Sequence, residues 1–431
     1  MILQSRNPII LFGALCLLFN QVAISTCLSL ETTSRRDFLR TASATAAAVT
    51  TNVALANTIA QPAISSAAEV GKPICVTGAN GYVGLHVVDQ LLRSGYTVRA
   101  AMRNLTEGRT KWLNKIAMET DSMDRLSFVE FDLSDAKSMQ VASSGCDSLI
   151  HLASPFELDA TSNPQLEVVD PAVSGACSAV VAASSLGLRK VVACGSIFGA
   201  VGSGSERGFD HVYGATDVNH YHTINGFAYG FSKKEAQERS SELATQLGVD
   251  LCTLNVGQLC GPALSPDQRN PSWRPIVLLA NSPYKGSPTL SACLPGLVDV
   301  RDAATALIAA LKLAPSKIPR RYIVASQTNS PTFGEIEGIF DDLDTPVTTF
   351  PPAVQSLMIK GVAIGDKSKE ELLFGISVPH GKTILVDIEP MKRDLLPQPR
   401  SIKDTLVDFV ANQESHGTDI HEISYLAFAL G

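Results

Sequence analysis

The stretch VTGANGYVG at positions 76–84 constrains this chain more than any other. An apolar run at 74–77 leads into it, and glycines fall at Gly78, Gly81 and Gly84. Leu85, Val87, Val88, Leu91 and Leu92 follow at helical spacing, and Ser94 with Gly95 ends the periodicity. A strand, a glycine-rich turn and a helix in that order aim backbone N–H groups at an anion. Gly78 makes the tight turn. Gly81 leaves room for a pyrophosphate beside the backbone. Gly84 lets the helix approach the sheet closely. Thr77, Tyr82 and Val83 complete the segment.

Further strand and helix patterns alternate downstream. Residues 96–102 read as a second strand, 126–131 as a third, 148–153 as a fourth and 190–194 as a fifth. A long helix is expected near 166–186. The series predicts an α/β protein: a Rossmann-type, doubly wound parallel sheet with ligands at the carboxyl ends of its strands, and a smaller C-terminal substrate lobe. The residue after the second strand selects the nucleotide. NAD binders place a carboxylate there for the ribose 2′-hydroxyl. This chain places Arg103, with Arg109 and Lys111 nearby, and a guanidinium suits a 2′-phosphate. The expected cofactor is therefore NADP. Asp132 and Leu133 close the third strand. Asp132 either accepts from the adenine amino group or caps a helix at 134–141. Ser154 and Pro155, after the fourth strand, are expected to line the cofactor groove.

The chemistry lies further on. Ser196 follows the fifth strand, where a hydroxyl faces the cleft and can donate to a carbonyl oxygen as charge builds on it. Residues 201–226, rich in Gly, Asp, Asn and His, are expected to form a substrate lid. A helix over about 227–247 then carries Tyr229 and Lys233, one turn apart on one face. Tyr229 is the expected proton donor and acceptor. Lys233 is expected to lie beneath the phenol, favour the phenolate and hold the nicotinamide ribose. The alternative is a core tyrosine and a solvated lysine.

Composition limits the other options. With 35 basic against 42 acidic residues the net charge is −7, which opposes nucleic-acid binding as the main task. No basic run is interleaved with aromatics, and no repeat recurs. The chain contains nine cysteines, with no C-x-x-C pair, and eight scattered histidines without metal-ligand spacing, so no metal site is expected. Cys75, Cys194 and Cys252 fall in apolar runs and are expected as buried thiols.

The first 56 residues differ in character. An apolar run at 9–19 resembles a signal-peptide core. A twin-arginine pattern follows, with Arg35, Arg36, Phe38 and Leu39 in register, and it ends at an A-x-A site at 54–56; 66–68 offers a second site. Two export signals in series resemble the bipartite presequences of lumenal proteins in plastids of secondary origin. The expected address is a plastid and, within it, the thylakoid lumen; the alternative is one secretory signal and a linker. Residues 57–71 are then a tail, and no stable membrane span is expected in the mature protein.

Several stretches together resemble the extended short-chain dehydrogenase/reductases, in the dihydroflavonol-4-reductase and cinnamoyl-CoA-reductase branch. They are 76–84, 95–103, 151–155, 229–233 with Ala236 and Glu238, 261–262 and 297–302. The resemblance implies that Ser196, Tyr229 and Lys233 are the catalytic residues, and that Thr77, Gly78, Gly81, Tyr82, Val83, Gly84, Arg103, Asp132 and Leu133, with Tyr229 and Lys233, hold the cofactor. It implies that 72–431 is one extended domain, with 72–260 mainly for the cofactor and 261–431 mainly for the substrate. Three departures stand out. Gly195 precedes Ser196 where the family has a serine or threonine, Val256 replaces a proline, and the cinnamoyl-CoA-reductase pattern before the tyrosine is absent. Asp217 and Asn219 resemble the aldehyde and ketone reductases of the branch. Helices are expected at 303–313, 331–342 and 402–410, a strand at 321–325, and a proline-rich connector at 345–354.

The expected activity is reduction of a ketone or aldehyde by NADPH. An epimerase, dehydratase or hydroxysteroid-type dehydrogenase is the first alternative, and a catalytically silent NADP-binding protein the second.

Overall fold

The computed structural model describes residues 71–156, 162–268, 270–273, 275–277, 292–343 and 376–416. The presequence (1–56), nearly all of the tail and the connector at 345–354 lie outside the described residues.

Seven parallel strands form one sheet: β1 (Ile74–Thr77), β2 (Val98–Met102), β3 (Leu126–Glu130), β4 (Ser148–His151), β5 (Lys190–Ser196), β6 (Leu251–Val256) and β7 (Arg320–Val324). Their order is β7-β6-β5-β4-β1-β2-β3, with every neighbouring pair parallel. The order reverses at β1 and β4, and this is where an α/β sheet opens a crevice for a ligand. The central strands β1, β4 and β6 are buried along their whole length because helices cover both faces.

The helices of the first half are α1 (Tyr82–Arg93), α2 (Glu107–Glu119), α3 (Ala136–Ser143), α4 (Asp170–Leu186) and α5 (Ala228–Leu247). The second half supplies α6 (Val300–Ala310), α7 (Phe333–Asp342), α8 (Glu389–Asp394) and α9 (Ile402–Ser415). Two apolar layers result. Val76, Val192, Leu254 and Val256 pack with α1 and α6 on one face of the sheet. Cys75, Leu149, Val191 and Leu251 pack with α3, α4 and α5 on the other. The stretch Gln165–Leu186 is long and apolar enough to cross a membrane, but 67% of its most apolar window is buried within the fold. One turn of π-helix, Gln165–Val169, leads into α4.

Several boundaries differ from the sequence expectation, each for a local reason. Helix α3 begins at Ala136, not 134, because Asp135 is its cap and accepts from the Lys137 N–H at 2.9 Å. Helix α6 begins at Val300 because Asp299 caps it. Helix α7 begins at Phe333, where Thr332 and Glu335 form a reciprocal capping box. Helix α9 runs on to Ser415, past its last apolar residue, with Gln413 buried.

The segment at 201–226, expected as a substrate lid, is anchored to the fold at several points, while His220, Tyr221 and Thr223 are exposed. Val201, Tyr213, Asp217, Asn219 and His222 are all buried. Its polar side chains bond inward: Asn219 Nδ2 donates to the Phe198 carbonyl at 2.8 Å, and the Gly214 N–H donates to Asp217 at 2.7 Å. Polar composition alone suggested solvent exposure; internal pairing removed the need for it.

Candidate active site

The glycine-rich turn stands at the carboxyl end of β1. Gly78 adopts φ +69°, and a Cβ there would lie 3.1 Å from the Ala153 nitrogen. A Cβ on Gly84 would strike the Gly78 carbonyl and come within 2.7 Å of the Ala79 carbonyl carbon. The third glycine therefore lets α1 fold back against its own turn. Gly81 precedes the first residue of α1 in extended conformation, and the first turn of α1 carries no acidic residue. A helix N-terminus with a glycine cap, no side-chain cap and no negative charge faces the crevice, which favours an anion.

That crevice is a cleft of about 260 Å³. Gly78, Gly81, Tyr82, Val83 and Gly84 line one end, and Ser196, Tyr229 and Lys233 line the other. Residues 112 to 155 positions apart in sequence meet because β1, β4 and β5 are neighbours in the sheet and α5 packs against β5. Phe156, Phe198, Gln258, Asn270 and Ser272 also line the cleft. Sequence reasoning missed these five; none belongs to a local motif.

The other expected cofactor residues divide. Thr77 is fully buried, and its hydroxyl is engaged with His151 Nδ1 at 2.9 Å and accepts from the Leu152 and Ala153 N–H groups. It ties β1 to β4 rather than facing the cleft. The Tyr82 hydroxyl donates to the Gly261 carbonyl at 2.7 Å, so its polar end serves the C-terminal part. Arg103 is exposed at the end of β2. Asp132 is exposed and accepts from both the N–H and hydroxyl of Ser134, at 2.9 and 2.7 Å. Those bonds hold its carboxyl below the usual range, helped by the nearby Arg103 charge. Asp132 thus forms a local turn and is not the cap of α3. Leu133 packs against Gly175 of α4.

Tyr229 and Ser196 are both buried, with 8% and 7% exposed. Burial pushes the Tyr229 phenol well above its ordinary value, while a hydrogen bond with Ser196 pulls it back. Lys233 was expected to favour the phenolate; the largest influence on the phenol is instead desolvation, which keeps it protonated. The Lys233 ammonium lies 5.0 Å from the ring centre and donates to Ser154 Oγ at 2.8 Å. Burial lowers its pKa to about 8. His151, beneath this group, is held at about 4 by burial and by the Lys233 charge, so it is neutral at pH 7. The phenol is held protonated beside a lysine that readily gains or loses a proton, and this arrangement suits delivery of a proton to an oxygen.

The unusual Gly195 has a structural reason. A Cβ there would collide with the Asn255 side chain from the neighbouring strand and approach Thr253 Cγ2 at 3.0 Å. All seven cysteines in the described residues are free thiols, and no cluster of metal-binding side chains occurs among those residues.

Residues 74–325 match the NAD dependent epimerase/dehydratase family. Cinnamoyl-CoA reductase 1 of Arabidopsis thaliana is 33% identical over 266 residues, which is 61% of this chain and 72% of that protein. Dihydroflavonol 4-reductase of Hordeum vulgare is 33% identical over 199 residues, 45% of this chain and 54% of that protein. Among solved structures, Gre2 of Candida albicans in complex with NADPH superposes with a TM-score of 0.60 at 21% identity, covering 80% of this chain and 99% of Gre2. Vestitone reductase of alfalfa gives 0.60 at 18% identity over 80% of this chain and 99% of that enzyme. These two likenesses are of fold. With the glycine-rich turn, the seven-stranded parallel sheet and these relatives, the chain belongs to the NAD dependent epimerase/dehydratase family, as an extended short-chain dehydrogenase/reductase of the dihydroflavonol and cinnamoyl-CoA reductase type.

Proposed function

We propose that the protein is an NADPH-dependent reductase of a ketone or aldehyde. The observation that carries this reading is the meeting of Ser196, Tyr229 and Lys233 at one end of a cleft whose other end is a glycine-rich helix N-terminus. The names of its relatives, reductases in each case quoted, support it.

The residues fit a dinucleotide. Gly78, Gly81 and Gly84 let the turn close tightly on its own backbone, the α1 N-terminus favours the pyrophosphate, and Arg103 suits a 2′-phosphate. NADPH supplies a hydride to the carbonyl carbon. The chain's own groups act on the oxygen. Ser196 donates a hydrogen bond to it as negative charge develops. Tyr229 then gives it the phenolic proton, and the alcohol leaves neutral. The resulting phenolate is stabilised by the Lys233 ammonium, which rests on Ser154. A phenol that burial keeps protonated is ready for reduction.

Tyr229→Phe removes only the acidic proton. Binding of NADPH should persist while reduction of a panel of ketones and aldehydes falls by about 10²-fold or more. Wild-type rates in this variant would show that another group donates the proton. Tightly held NAD with no carbonyl turnover would point to an epimerase, and bound NADP with no turnover to a silent binder.

A further inference from the structure

Strands β5 and β6 run parallel, and Gly195 and Asn255 are partners in their register, followed by Ser196 and Val256. At the first pair the neighbour fills the space of the missing side chain. The Asn255 amide oxygen occupies the place where a Cβ on residue 195 would stand; Thr253 Cγ2 is 3.0 Å from that point, and the Leu254 carbonyl 3.3 Å. The next residue along β5 is Ser196, whose hydroxyl accepts from the Phe198 N–H at 3.3 Å and which lines the same cleft as Tyr229.

Asn255 is 1% exposed, and neither of its amide atoms has a hydrogen-bond partner among the described residues. The Thr253 hydroxyl beside it also lacks one, as do both amide atoms of Gln237 on α5. An unpaired buried amide is costly, and an apolar side chain of similar size would avoid the loss. Groups kept against stability are expected where a site depends on them.

We propose that Gly195 and Asn255 are a coupled pair of positioning residues: the Asn255 amide takes the volume a side chain at 195 would need, and by filling it sets where β5 ends and how Ser196 meets Tyr229. The inference rests on the reading of Ser196 and Tyr229 given above for its catalytic consequence, but not for its geometric one. A larger residue at 195 must displace either Asn255 or its own backbone. Displacing the backbone moves Ser196, because the two residues share one peptide bond.

The test uses the full chain labelled with ring-¹³C tyrosine. The Tyr229 resonance, assigned by its loss in Tyr229→Phe, reports hydrogen bonding at the phenol. Carbonyl turnover and NADPH affinity are measured alongside. Gly195→Ala should shift that resonance and lower turnover by about tenfold or more, the scale for a misplaced reacting group, with NADPH affinity little changed. Gly195→Ala with Asn255→Ala should return both resonance and turnover towards wild type. An unmoved resonance in the single variant, or no return in the double, overturns the proposal. If Gly195→Ala does not fold, Asn255→Ala alone decides, since deleting the spacer should also shift the resonance, and an unchanged signal overturns it. Ser196→Ala separates the two ideas. A shifted resonance with undiminished turnover would remove Ser196 from the chemistry, while the coupled pair would still stand on the other variants.

Discussion

The Lys233 ammonium stands 5.0 Å from the centre of the Tyr229 ring. It is a hydrogen-bond donor to Ser154, not to the phenol. Its pKa, lowered to about 8 by burial, places its charge change close to working pH. Below pH 8 the ammonium is present; above it the charge is lost. The kcat/KM for carbonyl reduction should therefore fall as pH rises through about 8. Lys233→Arg, whose charge persists to far higher pH, should remove that limb of the profile even if it turns over more slowly. An identical alkaline limb in both proteins would assign it to another group.

The glycine-rich turn can be tested by size alone. Gly84→Ala puts a methyl against the Gly78 carbonyl and within 2.7 Å of the next carbonyl carbon. Overpacking of this kind costs about 1–3 kcal/mol, and opening the turn should weaken nucleotide binding as well. Gly108 in α2 has nothing within 4 Å of the same position. Gly108→Ala should be neutral or slightly stabilising. Denaturant midpoints and nucleotide titration of the two variants give the comparison; equal behaviour would mean that α1 yields more easily than its contacts imply.

Arg103 ends β2, exposed and beside Asp132. Charge-assisted hydrogen bonds to a 2′-phosphate contribute roughly 1.5–3 kcal/mol, or on the order of tenfold to a hundredfold in affinity. NADPH should bind tighter than NADH by about that factor, and the gap should narrow as salt rises. Arg103→Asp should reverse the preference. Calorimetric titration with both nucleotides checks it, and equal affinities in the native chain would mean that Arg103 points elsewhere.

The presequence makes a separate prediction. A fluorescent fusion of residues 1–70 should enter a plastid, and replacing Arg35 and Arg36 by lysine should block the last crossing. Diffuse cytosolic fluorescence from the intact presequence would count against the tandem export signals.

The sheet was legible because its signals are local. Glycines at 78, 81 and 84 and the apolar runs of β1 to β5 each declare themselves within a dozen residues. Tyr229 and Lys233 were legible as a pair because a helix fixes their spacing. What escaped depends on distant neighbours. Two aspartates three residues apart, Asp132 and Asp135, compete for one helix cap, and only the path of the chain decides between them. The polar loop at 201–226 hides its acceptors inside, which composition cannot show. Lys233 was expected to favour the phenolate, but burial, a property of the whole fold, is the largest influence on the phenol and holds it protonated. Asn255 lies 60 positions from Gly195, and only strand pairing makes them neighbours.

The two ends of the domain are fastened through one indole. Trp273 meets the Tyr82 ring edge-on at 5.1 Å and the Phe409 ring of α9 at 5.3 Å. Around it, His86 engages the Pro262 carbonyl, and Asn412 both donates to and accepts from the Ala263 backbone. Recombination between relatives at residue 260 is therefore not a clean exchange of parts. A chimera that imports a foreign C-terminal portion must import partners for Tyr82 and His86 too, or the first turn of α1 loses its support. Substrate choice in such a chain changes most freely at Phe156 on the cleft wall, because Gln258 and Asn270, which also line the cleft, both hold Ser272 beside Trp273 and so belong to the joint.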